Sequence, residues 1–231
     1  MKTINEIDSC DKCIYRKLLF GSLNNAEYSF VNTSRKEYKF KRGEVIHREG
    51  DPIHSFLYLR RGLIKLYKTD KNDKEHILSI NKPGDFINLL SVFSNGDYKY
   101  SIAAIEETTV CDIELSALKT IISSNNAFTL QILNRISRIS DDVIEGQFEI
   151  NQRQVKGRIA YFLLFLADTI YHAHEFRMPI TRREIGELIS MTTENTIRTL
   201  SEFRKDGLIS MDGKTLKILD YKRLEGISNT G

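Results

Sequence analysis

The chain has 231 residues, of which 41% are hydrophobic and 28% charged, enough for one large or two ordinary domains that each bury a core. Its net charge of +3 permits a nucleic-acid partner but does not by itself indicate one. No run approaches the roughly 18 apolar residues of a membrane span, and the start lacks the apolar core of a signal peptide, so we expect a cytoplasmic protein without a membrane partner. In that reducing compartment the three cysteines are packing residues or metal ligands, not a disulfide framework.

An antiparallel β-roll of the jelly-roll kind is predicted for residues 23–124, after an N-terminal segment of residues 1–22. Strands are predicted for "YKF", "EVIHREG", "SFLYLRRGLIKLYKT", "KEHILSINKPGDFI" and "YSIAAIEETTVCDIEL", which are rich in β-branched and aromatic residues. Turn residues separate them at Gly43, Gly50-Asp51-Pro52, Asn72-Asp73, Pro83-Gly84 and Asn95-Gly96-Asp97. Short strands with regular turns favour a roll. We expect this domain to hold any small-molecule effector.

One long helix, residues 125–153, is predicted next, because apolar positions recur at alternating spacings of four and three. The positions are Ile132, Ile136, Ile139, Val143, Gly146 and Ile150. A homodimer seam is the favoured interpretation of this spacing. The alternative is a helix that packs on its own domain. Gly146 weakens the helix and would let two backbones approach closely.

A winged helix-turn-helix domain is predicted for residues 154–231, which makes the whole chain an α+β protein. The segment "VKGRIAYFLLFLADTI" is apolar around much of its circumference and predicts a core helix. Near the end of the chain, "LISMDGKTLKIL" contains two β-compatible runs joined at Asp212-Gly213, a strong hairpin signal. Gly207 lies where a left-handed residue is expected to end the preceding helix.

Two short helices are predicted between the core helix and the hairpin. Thr181 and Glu184 have the spacing of a capping box. The first helix would point its inward stripe, which consists of Ile185, Leu188 and Ile189, at the core. A tight turn follows at Ser190-Met191-Thr192, and Thr192 or Thr193 would cap a second helix that runs to about Lys205.

The exposed face of the second helix is the candidate functional surface. Ile197, Leu200 and Phe203 are expected to point inward, so Glu194 and Arg198, four residues apart, would share the opposite face. Contacts to DNA bases are predicted for Thr193, Glu194, Asn195 and Arg198, and contacts to phosphates for Thr181, Arg182, Arg183, Thr192, Lys205 and Lys214.

Two interpretations of Glu194 and Arg198 compete. They could form a surface ion pair worth a few tenths of a kcal/mol. Alternatively, arginine contacts O6 and N7 of guanine while glutamate accepts from the N4 amine of cytosine, each worth about 1 to 3 kcal/mol of discrimination. We favour base contacts, because the helix follows a tight turn and precedes a hairpin wing.

With these motifs the chain resembles the cyclic-AMP receptor protein and fumarate-nitrate-regulator (CRP/FNR) family of bacterial transcription factors. "ITRREIGELISMTTENTIRTLSEFRKDGLIS" resembles the family's DNA-binding domain, and "FKRGEVIHREGDPIHSFLYLRRGLIKLY" with "NKPGDFINLL" resembles its β-roll. The resemblance implies a homodimer that binds a palindrome in double-stranded DNA and has RNA polymerase as a partner. Glu194 and Arg198 match the family's Glu and Arg, which implies a half-site with a G-A step.

The sensor segment departs from the relatives that bind cyclic AMP. Those relatives carry Gly-Glu after "GDF" and Arg-Ser or Arg-Thr on the next strand, where this chain has Asn88-Leu89 and Lys99-Tyr100-Ser101. A lysine supplies charge without the bidentate geometry of arginine. We therefore do not expect cyclic AMP to bind. These five residues would line a pocket that binds either another effector or no ligand.

The cysteines suggest a second kind of sensor. Cys10 and Cys13 precede the roll, and "ETTVCDIEL" around Cys111 resembles the segment that holds a cluster-ligating cysteine in oxygen-sensing relatives. Iron–sulfur clusters are commonly held by four thiolates. A cluster here would need Asp8, Asp11 or another oxygen ligand, so the favoured interpretation is a vestigial or merely buried trio.

Catalysis is not expected. His47, His54, His76, His172 and His174 have no metal-protease spacing, and the chain has no phosphate-binding glycine loop and no nucleophile elbow. The rival to a transcription regulator is a small-molecule-binding module that acts through protein partners and carries a non-functional DNA domain.

Overall fold

The computed structural model describes residues 2–3, 20–94 and 96–230. These residues divide into two compact units. The first comprises Met1–Asp73 and Leu78–Ser140, and the second comprises Lys74–Ile77 and Asp141–Gly231. Among the described residues, no helix is both long and apolar enough to cross a membrane.

Two four-stranded sheets precede the long helix. Their strands are β1 (Lys2–Thr3), β2 (Arg35–Phe40), β3 (Val45–His47), β4 (Ser55–Arg61), β5 (Ile64–Thr69), β6 (Glu75–Asn81), β7 (Ser101–Ala104) and β8 (Thr108–Glu114). The strand orders are β1-β2-β8-β4 and β3-β7-β5-β6. The pairs β2–β8, β4–β8, β3–β7 and β5–β7 are antiparallel. The predicted roll is confirmed.

Two segments predicted as single strands are each divided by a turn. Gly62 separates β4 from β5 with a φ of 85°, and a Cβ there would lie 2.4 Å from the carbonyl oxygen of Glu107. That oxygen belongs to the turn between β7 and β8, where Thr108 donates its hydroxyl to the Leu63 carbonyl at 3.1 Å. Because the two turns are packed together, only glycine fits at position 62.

The core of the first unit lies between strands and helices. The helices are α1 (Asn25–Thr33), α2 (Leu89–Val92), α3 (Leu115–Ser124) and the first part of α4 (Asn126–Gln152). The largest buried aromatic side chains include Phe56, Tyr58 and Phe128, each at most 1% exposed. Asn24 and Glu27 form a capping box that fixes the start of α1.

Helix α4 has the predicted length, but the residues of its predicted dimer seam do not share one environment. Ile132 is 4% exposed and belongs to the core of the first unit, and Ile136 and Ile139 pack against that core. Those three positions follow the alternative, a helix that packs on its own domain, and Ile132 is not accessible to a second chain. Of the other seam positions, Val143 is 49% exposed and Ile150 is buried.

A second apolar stripe on α4 is exposed. It consists of Leu130, Leu133, Ile144 and Phe148, which are 61%, 53%, 69% and 63% exposed. At about 100° per residue these four side chains fall within about 60° of the helix circumference, rotated by about 130° from the predicted seam.

The second unit contains the remaining helices and a small sheet. Its elements are α5 (Val155–Leu164), which continues as a π-helical segment (Phe165–Tyr171), β9 (Glu175–Arg177), α6 (Arg182–Leu188), α7 (Thr193–Lys205), β10 (Ile209–Asp212), β11 (Thr215–Ile218) and α8 (Tyr221–Thr230). The antiparallel sheet has the order β10-β11-β9. Helices α6 and α7 with the hairpin β10–β11 form the predicted winged helix-turn-helix.

Candidate nucleic-acid interface

The start of α6 is fixed by the predicted capping box. The Thr181 hydroxyl accepts from the backbone N–H of Glu184 at 3.2 Å, and the Glu184 carboxylate accepts from the backbone N–H of Thr181 at 2.9 Å. Two N–H groups that the first turn of a helix leaves unpaired are thereby satisfied. Ile185 and Ile189 are each 1% exposed, so α6 is held at its start and along its inner face.

In the turn between α6 and α7, the backbone of Met191 lies unusually close to Gly186. The Met191 N–H donates to the Gly186 carbonyl at 2.8 Å, and a Cβ on Gly186 would lie 2.8 Å from the Met191 oxygen. Ser190 has a φ of 55°, a left-handed conformation that is uncommon for a residue with a side chain. From α5, the Arg158 guanidinium donates to the Ser190 carbonyl at 3.0 Å. Arg158 therefore positions the turn, a role that no local sequence pattern indicated.

Helix α7 begins as predicted, with Thr192 as its cap. The Thr192 hydroxyl accepts from the Asn195 N–H at 3.2 Å. The buried stripe of α7 consists of Thr196, Thr199, Leu200 and Phe203, each at most 3% exposed. The prediction that Ile197 points inward is wrong, because Ile197 is 45% exposed. The buried positions 196, 199, 200 and 203 lie on one helix face, with 196 and 203 each three or four residues from 199 and 200, and Ile197 falls outside that stripe.

The exposed face of α7 holds Arg198 in a network of polar contacts. Its guanidinium donates to the Asn195 side-chain oxygen at 3.0 Å and lies 4.0 Å from the Glu202 carboxylate. Glu202 also pairs with Lys156 at 2.9 Å, whose hydrogen bond lowers the pKa of Glu202. In the part of the chain that the structure describes, Glu194 and Arg198 are not paired with each other. Glu194 is exposed, so its carboxylate is accessible to an external donor.

The residues predicted to contact phosphates differ in how accessible their polar groups are. Arg182, Lys205 and Lys214 are exposed. Arg183 is exposed as well but pairs with Glu187 at 2.9 Å. Thr181 and Thr192 use their hydroxyl oxygens in the helix caps. Arg182, Lys205 and Lys214 are therefore the more accessible members of the set.

The wing is the predicted hairpin. Asp212 pairs with Thr215, which leaves Gly213 and Lys214 as a two-residue loop. Gly213 has a φ of 56° and Gly207, just after α7, a φ of 70°. Both values lie in the left-handed region that glycine adopts without a steric penalty, so the predicted hairpin turn and helix end are confirmed.

Two of the residues predicted to line an effector pocket, Asn88 and Leu89, are buried in the roll. Asn88 is fully buried, and its amide oxygen accepts from the Leu57 N–H at 3.0 Å. Its amide nitrogen donates to the Ser55 carbonyl at 2.8 Å and to the Tyr98 hydroxyl at 3.2 Å. Leu89 is 1% exposed in the core. These contacts use Asn88 to tie α2 to β4 and to the chain before β7, which is a structural role.

The second group of predicted pocket residues is also dispersed. Lys99 is exposed, whereas Tyr100 packs against the core. Ser101 is 7% exposed, and its hydroxyl accepts from the Glu49 N–H at 3.0 Å. A surface cavity of about 340 Å³ in the first unit is lined by other residues, among them Phe86, Leu130 and Arg135.

Tyr98 occupies the centre of this region of the roll. It is 1% exposed and stacks on His47 with ring centroids 4.4 Å apart. Burial lowers the pKa of His47, and Asp51 opposes the shift. The Tyr98 hydroxyl and the Asn88 amide are therefore used in a contact within the roll.

Cys111 lies in a buried polar network, and the other two cysteines, Cys10 and Cys13, lie outside the described residues. The Cys111 sulfur is 3.6 Å from the Arg35 guanidinium and 3.8 Å from the Glu37 carboxylate. Glu37 is paired with Arg35 at 2.5 Å and with Arg60 at 2.6 Å. Burial raises the pKa of the Cys111 thiol to about 12.

Cys111 is fully buried, and its polar neighbours Arg35 and Glu37 are paired with each other. Its sulfur therefore packs inside the roll, as expected for the merely buried cysteine of the favoured interpretation. Among the described residues, no group of three or more His, Cys, Asp or Glu side chains is placed to hold a metal ion.

A tight turn between two helices, a polar helix face and a β wing define a DNA-binding domain of the winged helix-turn-helix class. Residues 157–227 match the Crp-like helix-turn-helix domain, and residues 37–125 match the cyclic nucleotide-binding domain. With both domains in this order, the chain belongs to the CRP/FNR family of transcription regulators.

Individual proteins agree with this assignment. The transcriptional activator protein anr of Pseudomonas aeruginosa is 29% identical over 184 residues, which are 78% of this chain and 75% of that protein. The anaerobic regulatory protein of Pasteurella multocida is 26% identical over 227 residues, 96% of this chain and 83% of that protein. The structure of FixK2 from Bradyrhizobium japonicum shares the fold with a TM-score of 0.76 at 21% identity, over 84% of this chain and 96% of that one.

Proposed function

We propose that the protein is a homodimeric transcription regulator whose two copies of α7 bind a palindrome in successive major grooves of double-stranded DNA. The observation that carries this proposal is the exposed polar face of α7, which begins directly after a tight turn and is followed by a wing. We assign residues 154–231 to DNA binding, residues 125–153 to dimerisation and residues 23–124 to sensing.

Base contacts are assigned to the first half of α7. Arg198 donates to guanine and Glu194 accepts from cytosine, with Thr193 and Asn195 beside them. In the free protein Asn195 and Glu202 already hold the Arg198 guanidinium. Base recognition exchanges these exposed contacts for bidentate ones, at little cost, because exposed ion pairs contribute less than about 1 kcal/mol.

The test replaces Arg198 by alanine and measures binding to a palindrome selected from random DNA. We expect a loss of about 1 to 3 kcal/mol per half-site on the selected palindrome and a much smaller loss on random duplex. Arg204→Ala is the matched control, because Arg204 lies on the same helix and is exposed, so the same charge is removed outside the base-contacting half. Equal losses for both variants on both DNAs would contradict base recognition by Arg198.

The alternative is a module that works only through protein partners. The salt dependence of DNA binding distinguishes it from the proposed regulator. Neutralisation of phosphates by Arg182, Lys205 and Lys214 releases counterions, so affinity for DNA falls steeply with salt concentration. A protein without a DNA-binding surface would show no affinity from which such a slope could be measured.

Dimerisation is assigned to the exposed stripe of α4, defined above by Leu130, Leu133, Ile144 and Phe148. Apolar side chains at this exposure are unfavourable in water unless a partner covers them. A second copy of the same stripe is the natural partner, because two-fold pairing places each apolar residue against an equivalent one.

The signal that controls the regulator is assigned to the roll or to the segment with Cys10 and Cys13. Because Ile132, Ile136 and Ile139 pack against the roll core, a ligand that alters this packing would shift α4 and with it the spacing of the two copies of α7. RNA polymerase is the proposed protein partner. Any effector bound at the roll is a small molecule other than cyclic AMP, because Asn88-Leu89 and Lys99-Tyr100-Ser101 stand where the relatives that bind cyclic AMP carry Gly-Glu and Arg-Ser or Arg-Thr.

A further inference from the structure

Ile197 is an apolar residue on a helix face that is otherwise polar. It is 45% exposed, while the residues around it on the exposed side of α7 are Thr193, Glu194, Arg198 and Ser201. Exposing about half of an isoleucine side chain to water costs free energy, and a polar residue at this position would avoid that cost. One isolated apolar residue is too small to dock a protein, so the surface next to it suggests its function.

The position of Ile197 follows from helix geometry. At about 100° per residue, Ile197 lies about 60° around the helix from Glu194 and about 100° from Arg198. It is one turn from Thr193, at the end of α7 that begins at the Thr192 cap. If Glu194 and Arg198 face base edges, Ile197 faces the edge of a neighbouring base pair in the same groove.

The chemistry of the major groove limits what an isoleucine can recognise there. It has no hydrogen-bonding group, and the one apolar feature that base pairs present in the major groove is the C5 methyl of thymine. Burying a methyl group against an aliphatic side chain favours binding by about fourfold, whereas a bare donor or acceptor placed against it would lose its water without a replacement.

We infer that Ile197 is a specificity-determining residue that packs on the C5 methyl of a thymine beside the base pairs contacted by Glu194 and Arg198. This inference rests on the proposed function and deepens it, because it names one base of the half-site by chemistry. The half-site therefore contains a position where thymine is preferred for its methyl group and not for a hydrogen bond.

The experiment replaces thymine by deoxyuridine, which removes the methyl and leaves every hydrogen-bonding group unchanged. Each thymine of the selected palindrome is replaced in turn, symmetrically in both half-sites, and binding is measured for the wild-type protein and for Ile197→Ala. The wild type should lose about tenfold or more at one position, since two methyl contacts are removed together. Ile197→Ala should bind the thymine and uracil sites equally at that position.

Two further variants exclude indirect effects. Ile197→Val retains a branched aliphatic surface and should keep most of the preference for thymine. Arg198→Ala should weaken binding but leave the thymine-to-uracil ratio nearly unchanged. Because Ile197 is exposed, its alanine variant should unfold at the same temperature as the wild type, so altered recognition is not confused with altered folding.

The possible outcomes distinguish a failure of the inference about Ile197 from a failure of the proposed DNA-binding function. A wild-type protein that tolerates uracil at every position, or an Ile197→Ala variant as sensitive to uracil as the wild type, overturns the inference while DNA binding stands. A wild-type protein that selects no DNA sequence overturns the proposed function, and the inference with it.

Discussion

Replacing Gly186 by alanine tests how closely α6 approaches the start of α7. The new Cβ would lie 2.8 Å from the Met191 carbonyl oxygen and 3.1 Å from the Thr196 hydroxyl oxygen. Alanine inside a helix is favoured over glycine by about 1 kcal/mol, but overpacking costs about 1 to 3 kcal/mol when the neighbours are backbone. The variant should therefore be neutral to about 2 kcal/mol less stable.

Gly226→Ala is the matched control, because Gly226 also lies in a helix of the second unit and its Cβ would have nothing within 4 Å. It should gain up to about 1 kcal/mol, so the two alanine variants should differ by about 1 to 3 kcal/mol. With a slope near 2 kcal/mol/M, their urea midpoints should be about 0.5 to 1.5 M apart. Equal midpoints would refute the close approach and the turn geometry built on it.

Two other predictions concern the roll and α4. Because burial lowers the pKa of His47 below 6.5, the unfolded chain binds the proton first. Its contribution to stability is therefore present above about pH 6.5 and is lost as the pH falls through the lowered pKa. His47→Phe keeps the stacking on Tyr98 and should remove this part of the acid sensitivity, measured as urea midpoints at pH 7.5 and 5.5; parallel pH profiles would contradict it. Phe148→Asp should dissociate the dimer in sedimentation equilibrium, because it removes about 2 kcal/mol or more of apolar burial per copy. Val143→Asp should leave the dimer intact. The reverse result would favour the dimer seam predicted from the sequence, which includes Val143.

The features that sequence predicted correctly depend on residues close together in the chain. The capping box of Thr181 and Glu184, the left-handed Gly207 and the hairpin turn at Gly213 are each determined within a few residues. Such signals are visible without a structure, because both partners of each contact lie in the same short segment. They fixed the helix-turn-helix and its wing, and hence the face of α7 that carries Glu194 and Arg198.

The features that sequence missed depend on contacts between distant segments. The local sequence does not predict the turn at Gly62, because the need for glycine comes from the carbonyl of Glu107, far along the chain. The motif around Asn88 predicts a pocket residue, but its amide forms hydrogen bonds with Ser55, Leu57 and Tyr98. Its burial depends on how the sheets pack, which local pattern does not encode.

Helix α4 shows why periodicity alone cannot assign an interface. A spacing of three and four predicts that a stripe is covered, but it does not say by what. The helix carries two such stripes. The longer one is covered in part by the roll through Ile132 and Ile136, and the shorter one, with Ile144 and Phe148, is exposed. A helix that packs on its sensor along one face and on a second chain along another can couple the two, because it cannot rotate in one contact without moving in the other. The division of the predicted seam therefore supports the proposed mechanism more directly than an undivided dimer seam would.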